Sequence, residues 1–228
     1  MTSLEFDEEC LALKLTFEEH QGELIYDDSG IGNNAKLLRG AEVSYDDMQG
    51  GFSVHLKSKS SILVNNRFNF KPKKSASVAM WVRMDDPSGH HNLFRTKDKD
   101  GVLHYNLAAT DGKITWSHRD EHGNQLFAIS TQDPLLAANE WHQVTGTVDA
   151  DSKEALLWVD GKLVGNQSKV AGTLSQDWSG EARFGGDFVG AVDNIFIYRC
   201  AISSQTVSQL YSGGTSNEQS EFLKPTFL

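Results

Sequence analysis

The chain lacks any run of about 18 apolar residues, the length a helix needs to cross a bilayer, so membrane insertion by this segment is not expected. It also lacks basic excess. Against 21 Lys and Arg stand 31 Asp and Glu, a net charge of −10, which argues against nucleic acid as a partner and suits a protein that attracts cations. Cysteine is scarce, with only Cys10 and Cys200. The opening residues, MTSLEFDEE, are acidic and polar, where a secretory leader is basic and then apolar. The chain is therefore either cytosolic or a piece excised from a longer secreted one, and we expect the second. Catalytic signatures are missing as well. There is no Gly-x-Ser-x-Gly elbow, no glycine-rich phosphate loop, and no stretch with carboxylates alternating as E-x-D-x-x-E to serve as acid and nucleophile in glycoside hydrolysis.

What the chain has is alternation. SASVAMWVRM (Ser75–Met84) reads as a strand with Val78, Met80, Val82 and Met84 on one face. Glu154–Val159 and Lys162–Val164 flank Asp160-Gly161, the pair favoured in two-residue type I′ hairpins. Further short strands are expected around 35–39, 42–45, 52–56, 61–64, 92–96, 103–109, 114–118, 125–130, 140–148 and 182–185, separated by turns such as DDSG, DKDG, TDGK, DEHGN and DADS. One segment, SSQTVSQLY (Ser203–Tyr211), reads as a helix with Ser203 as N-cap. Many short strands and almost no helix predict an all-β antiparallel sandwich or jelly roll with one short C-terminal helix. No repeat or composition shift divides the chain, so we expect one domain over residues 8–214 and a polar tail or linker over 215–228.

The late stretch FVGAVDNIFIYRC (Phe188–Cys200) organises this reading. Strict alternation puts Val192, Asn194, Phe196 and Tyr198 on one face, and Asp193 with Ile195 and Ile197 on the other. That places a carboxylate beside aliphatics, which is costly unless it is paired or bound to a metal. Cys10 precedes another clean alternation, LALKLTF. Free thiols would suit a cytosolic protein. The expectation that the first and last long strands are neighbours instead favours a Cys10–Cys200 disulfide and an extracellular setting. Asn166-Gln167-Ser168 is a glycosylation sequon and points the same way.

The ordered set Phe17-Glu18, Asp28-Ser29-Gly30, Gly32-Asn33, Trp81-Val82, Trp141-His142, Trp158-Val159-Asp160-Gly161 and Gly190–Tyr198 resembles the laminin G-like, concanavalin A-like jelly-roll domains. The resemblance spans nearly the whole domain. It implies a structural Ca²⁺ ion near the first and last strands. Glu18, Asp28, Asn33, Asn34 and Asp193 can supply the carboxylate and amide oxygens that Ca²⁺ prefers. If Cys10 lies opposite Cys200 in an antiparallel pair, Asp193 falls opposite Phe17. Parity then favours Glu19 as the neighbouring ligand, and the family pattern favours Glu18. Without a metal, Asp28 is a turn residue and Asp193 caps a backbone donor.

Other constellations carry less. His118-Arg119-Asp120-Glu121-His122 spells H-x-x-E-H, a zinc-protease pattern that needs a helix, whereas here it lies between strands, so we read a solvated turn. His90-His91 is read as a solvated loop. Trp81, Trp116, Trp141 and Trp158 are read as core or half-buried packing, while Trp178, in the loop SQDWSG, is a candidate ligand-binding residue. Lys71, Lys73 and Lys74 form a small basic turn. The resulting expectation is a non-catalytic extracellular recognition or adhesion module, presenting loops such as 85–91, 120–124 and 174–180 to an extracellular protein or glycan. The alternatives are a lectin-like carbohydrate-binding domain and a structural or oligomerising unit of a receptor ectodomain.

Overall fold

The computed structural model describes residues 7, 9–46, 50–64, 74–170, 172, 174–175 and 181–213. Trp178, Lys71, Lys73, most of the 174–180 loop and the expected tail lie outside the described residues. The strands, numbered in chain order, form two antiparallel sheets. One is eight-stranded: β1 (Leu11–Leu15), β5 (Glu42–Asp46), β6 (Gly51–Leu56), β8 (Ser75–Met84), β13 (Trp141–Asp149), β14 (Glu154–Val159), β15 (Lys162–Ser168) and β17 (Gly190–Tyr198). The other is nine-stranded: β2 (His20–Gln21), β3 (Leu24–Ile25), β4 (Ala35–Leu38), β7 (Ser61–Val64), β9 (His90–Lys97), β10 (Leu103–Thr110), β11 (Lys113–Arg119), β12 (Gln125–Ser130) and β16 (Glu181–Gly185). The expected sandwich is therefore observed, with a short helix, Ser204–Gly213, after the last strand. Ser203 caps that helix, since its Oγ accepts the Thr206 N–H at 3.2 Å.

Alternation explains the layers. Ala76, Val78, Met80, Val82 and Met84 of β8 all enter the core between the sheets. Opposite them come Leu107 and Ala109 of β10 and Ile114 and Trp116 of β11. Trp116 is fully buried and donates its indole N–H to the Thr147 carbonyl of the other sheet at 3.1 Å. Its ring lies where a side chain at Gly146 would sit, so only glycine fits there. The β14–β15 hairpin turns on Asp160 (φ 49°) and Gly161 (φ 71°), the two left-handed residues that a type I′ turn requires.

β17 is paired along both edges. β8 runs beside it from Gly190 to Tyr198. On the other edge β6 pairs with Gly190–Val192, and β1 then takes over at Ile195–Tyr198. Leu15 faces Ile195 and Leu13 faces Ile197, the register expected from opposing the two cysteines, with one irregularity near Leu11. Cys10 and Cys200 are disulfide-bonded with Cα atoms 5.9 Å apart, within the usual range. A second, smaller apolar cluster forms beneath the helix, where Tyr198, Cys200, Ile202 and Val207 pack with Phe196, Trp158 and Leu210.

The strict alternation expected for β17 is corrected. The register shifts between Asp193 and Phe196, and Asn194 is left-handed (φ 46°), so one residue bulges and the faces exchange. Val192, Ile195 and Ile197 all enter the core. Asp193 instead pairs with Trp81, whose neighbours Met80 and Val82 point inward. It therefore stands on the outer face of the eight-stranded sheet, not beside the aliphatics. One further expectation fails. His91 is buried in β9, not solvated in a loop, and its Nε2 lies 2.7 Å from the Ser88 carbonyl. The two-residue strands β2 and β3 were not foreseen, being too short to show a period.

The disulfide bridges residues 190 apart in sequence. Replacing both cysteines with alanine is expected to lower the unfolding free energy by about 2–5 kcal/mol, read from urea unfolding under non-reducing conditions. Wild type under full reduction should match the double variant. Equal stability of oxidised wild type and double variant would show that the bridge does not constrain the unfolded chain.

Candidate functional site

The sequence-predicted ligand residues fall into two neighbouring groups around the end of β1. The first is the loop 27–34. Its organiser is Asp27, a residue the sequence reading passed over in favour of Asp28. Asp27 Oδ1 accepts the N–H groups of Lys14 (3.0 Å) and Ser29 (3.0 Å), and Oδ2 accepts that of Asn33 (2.8 Å). The Asp-to-i+2 contact is an Asx turn, so the signal was the first Asp of the DDSG run. Asp28 Oδ2 accepts from Thr16 N–H and Oγ–H at 3.2 and 2.5 Å. Asn34 Oδ1 accepts the Asp27 N–H at 3.0 Å. Asn33 is fully buried and donates through Nδ2 to the Ala12 carbonyl at 2.8 Å, while its Oδ1 is buried with no hydrogen-bond partner among the described residues. Most of these oxygens therefore hold the loop to β1.

The second group is a set of carboxylates on the outer face of the eight-stranded sheet. Phe17 is left-handed (φ 64°), which turns the chain and directs Glu18, not Glu19, toward β6. Glu18 Oε1 accepts the Phe52 N–H at 2.8 Å, and its carboxylate fills the space above Gly51. Asp193 is 3% exposed, and both its oxygens accept from Asn194, from N at 2.6 Å and Nδ2 at 3.0 Å. Burial pushes its carboxyl up to about 8, and the charges of Glu18 and Asp46 add to the rise against the Asn194 hydrogen bonds. Asp46, absent from the predicted set, is buried and forms a 2.7 Å ion pair with Arg83. Glu18, Asp46 and Asp193 thus offer hard oxygens and mutual repulsion, a donor chemistry that suits a divalent cation. Among the described residues, the one group of three His, Cys, Asp or Glu ligand atoms within 4.8 Å of one another is Asp7, Cys10 and Cys200, whose sulfurs form the disulfide. Completing a shell at Asp193 would draw on backbone and amide oxygens too.

The other expected or overlooked polar residues have structural partners. In the H-x-x-E-H stretch His118 is fully buried at the end of β11, whereas His122 is exposed in the following turn, so the two imidazoles do not share a face. His118 Nε2 accepts the Ser175 N–H at 2.9 Å, and burial, with His104 nearby, pulls its pKa down to about 3. His104 donates through Nδ1 to the Arg119 carbonyl at 3.1 Å, with Nε2 at 3.3 Å from buried Asp98. The alternation Ile114, Trp116, His118 was the signal for that burial. His142, beside Trp141, donates through Nδ1 to Asp160 at 2.9 Å, and its Nε2 accepts the Ala137 N–H at 3.4 Å. Asn166, in the sequon, is exposed on edge strand β15.

Among known families, the one described as the concanavalin A-like lectin/glucanases superfamily matches residues 56–208, more than half of the chain. The chain belongs to that superfamily. Comparison with curated proteins finds no match. Among solved structures, the superfamily sandwich seen here is similar to the binding domain of Paraclostridial Mosquitocidal Protein 1, with a TM-score of 0.74 at 19% identity over 90% of this chain and 52% of that one. It is also similar to the botulinum neurotoxin serotype D ligand binding domain in complex with N-acetylneuraminic acid (TM-score 0.73, 17% identity, 93% of this chain and 53% of that one). The botulinum neurotoxin serotype G binding domain follows at TM-score 0.69 and 17% identity, with 89% and 50% covered. The chain spans about half the length of these structures, and at such identities the likeness is one of fold.

Asp193 and His118 have opposite pH signatures. An Asp whose folded pKa is about 8, against about 3.9 unfolded, loses stability as pH rises from about 4 to about 8. A His whose folded pKa is about 3, against about 6.5 unfolded, gains it as pH rises from about 3 to about 6.5. In chelator, the Asp193 contribution to wild-type stability is therefore expected to fall between about pH 6.5 and 8, a range in which that of His118 is already complete. Asp193→Asn should remove that fall and leave the protein more stable than wild type at pH 8. Parallel stability curves for the two proteins, from urea titrations across this range, would place Asp193 in solvent.

Proposed function

We propose that this domain is a non-catalytic extracellular recognition module that binds a glycan or a protein partner and is stabilised by a structural calcium ion. The observation that carries the binding reading is membership of a lectin-containing superfamily in a chain with no glucanase carboxylate pair on any strand. Two of the similar structures are named as binding domains, and a third is named as a ligand binding domain in complex with N-acetylneuraminic acid. Fold alone does not assign function, so these names support a binding role without choosing the ligand. The Cys10–Cys200 disulfide and the exposed Asn166 sequon support the extracellular setting, because disulfides persist in oxidising compartments. Among the described residues, no helix is long and apolar enough to cross a membrane.

The calcium part of the reading rests on Asp193. A carboxyl buried beside Glu18 and Asp46 is a poor neighbour for both in the absence of a cation. Glu18 and Asp193 would hold the ion, with Asp46 as a third carboxylate. Bound there, calcium would join the turn after β1 to β17, a structural role.

Two measurements test this. Thermal unfolding of metal-stripped protein is expected to shift upward with Ca²⁺, by the equivalent of about 2.7 kcal/mol at one hundred times the dissociation constant. Chelator should reverse the shift, and Asp193→Ala should abolish it. No shift at millimolar Ca²⁺ would reduce Asp193 to a cap for Asn194. For the binding role, the immobilised domain is screened against a glycan array and a panel of cell-surface and matrix proteins, with a reducing-sugar assay on mixed glycans in parallel. Retention of a glycan or protein without sugar release is expected. Catalytic release of reducing sugar would overturn the non-catalytic reading.

A further inference from the structure

The Cys10–Cys200 bridge has a buried carboxylate against it. Asp7, in the segment that precedes β1, is 3% exposed. One of its oxygens and the sulfurs of Cys10 and Cys200 all lie within 4.8 Å of one another. The two carboxylate oxygens have different surroundings. Oδ2 accepts from the Ser203 N–H at 3.0 Å, the Ser203 hydroxyl at 2.9 Å and the Thr206 hydroxyl at 2.6 Å. Oδ1 faces Cys200 Sγ at 3.8 Å. A carboxylate fixed through one oxygen and aimed through the other is oriented as outer hydrogen bonds orient a metal ligand. It also caps the N-terminal end of the ten-residue helix Ser204–Gly213, where the backbone favours negative charge.

We infer that, once the bridge is reduced, Asp7, Cys10 and Cys200 form a zinc site. Reduction takes an external dithiol, which gives up two electrons and two protons and becomes a disulfide, while the bridge becomes two thiols. Zn²⁺ then displaces one proton from each thiol into solvent and is held by two thiolates and one carboxylate. Tetrahedral bonds of about 2.3 Å to sulfur and about 2.0 Å to oxygen set two sulfurs about 3.8 Å apart and sulfur about 3.5 Å from oxygen. The Oδ1 to Sγ separation already fits this shell. The sulfurs have only to part from bonded contact, which rotation about the Cα–Cβ bonds supplies across a Cα separation of 5.9 Å.

The donor set decides the ion. Two thiolates select a thiophilic cation over Ca²⁺ or Mg²⁺, which keeps this site apart in chemistry from the carboxylates around Asp193. Cys10 is half-buried, so the ion enters from its side, and water takes the fourth position there. The first and last long strands are thereby clipped together in both redox states, by a covalent bond when oxidised and by Zn²⁺ when reduced. This inference is independent of the recognition and calcium readings, because it concerns the chain under reducing conditions, including the interval between synthesis and oxidation.

The test uses the full chain, reduced with a phosphine and kept in saturating Ca²⁺ so that the carboxylates around Asp193 are occupied. Cd²⁺ and Co²⁺ are the optical probes, since thiolate ligation gives each a charge-transfer band that oxygen ligation does not. A stoichiometric amount of either is expected to produce the band in reduced wild type, and Zn²⁺ to remove it by competition. Oxidised wild type and reduced Cys10→Ser should show no band. Asp7→Asn should keep the band and weaken Zn²⁺ at least about tenfold. Zn²⁺ should also raise the unfolding temperature of the reduced chain and leave that of the oxidised chain unchanged. X-ray absorption at the zinc edge of reduced wild type, which needs no variant, is expected to show sulfur neighbours at about 2.3 Å and oxygen neighbours at about 2.0 Å, in equal number. Absence of the band, or zinc with no sulfur neighbour, overturns the inference. So does an unchanged affinity in Asp7→Asn, which would leave an ordinary pair of thiols, and so does a shell of four sulfurs, which would mean zinc shared between two chains.

Discussion

The structure depends on β17 being paired along both edges by strands from three parts of the chain. β8 lies along one side, while β6 and then β1 share the other. The handover between β6 and β1 occurs beside Asp193 and Asn194, where β17 bulges. A bulge at a handover has a mechanical reason: it lets one strand follow two partners whose ends do not form a straight line. The chain that leaves β1 must turn there, and left-handed Phe17 makes the turn. The same geometry gathers Glu18, Asp46 and Asp193 on one face. Arg83 neutralises Asp46 and leaves the other two without a paired cation among the described residues. The charge problem at the junction is thus a product of the topology.

The regular parts of this arrangement were legible. Period-two alternation defined β8, β14 and most strands of the sandwich, and Asp160-Gly161 announced its hairpin. The disulfide followed from two cysteines at the margins of two alternating runs that a sandwich topology brings side by side. What escaped were features determined by a single backbone angle. Nothing in FVGAVDNIFIY says that Asn194 turns left-handed, yet that angle moves Asp193 from the core face to the outer one. The angle at Phe17 likewise decides between Glu18 and Glu19, a choice that parity alone made wrongly. Asp27 and His118 are a different case. Their signals were present, an Asp two residues before Ser29 and a histidine in step with Ile114 and Trp116. The DDSG turn and the H-x-x-E-H pattern span the same residues and suggest solvent for both.

Packing between the sheets limits where a ligand can go. Trp116 reaches across to the Thr147 carbonyl and presses on Gly146, and Phe94, Phe127 and Phe184 are also buried there. Side chains fill that interior, so only the loops and the outer faces are open to a partner. On the outer face of the eight-stranded sheet, the helix covers part of the surface and stacks Tyr211 on Trp81.

The helix is held by the same elements that close the fold. Asp7 Oδ2 accepts from Ser203 N–H at 3.0 Å, Ser203 Oγ–H at 2.9 Å and Thr206 Oγ–H at 2.6 Å, which ties the start of the helix to the segment before β1. Ser77 of β8 donates to the Cys200 carbonyl at 2.7 Å and accepts the Ile202 N–H at 3.0 Å. The disulfide secures the same stretch from its other end. The segment 201–204 is therefore fixed by backbone and hydroxyl hydrogen bonds on both sides of the bridge. The staple between the first and last strands then has two effects in one place: it closes the sheet around β17, and it anchors the segment from which the helix starts.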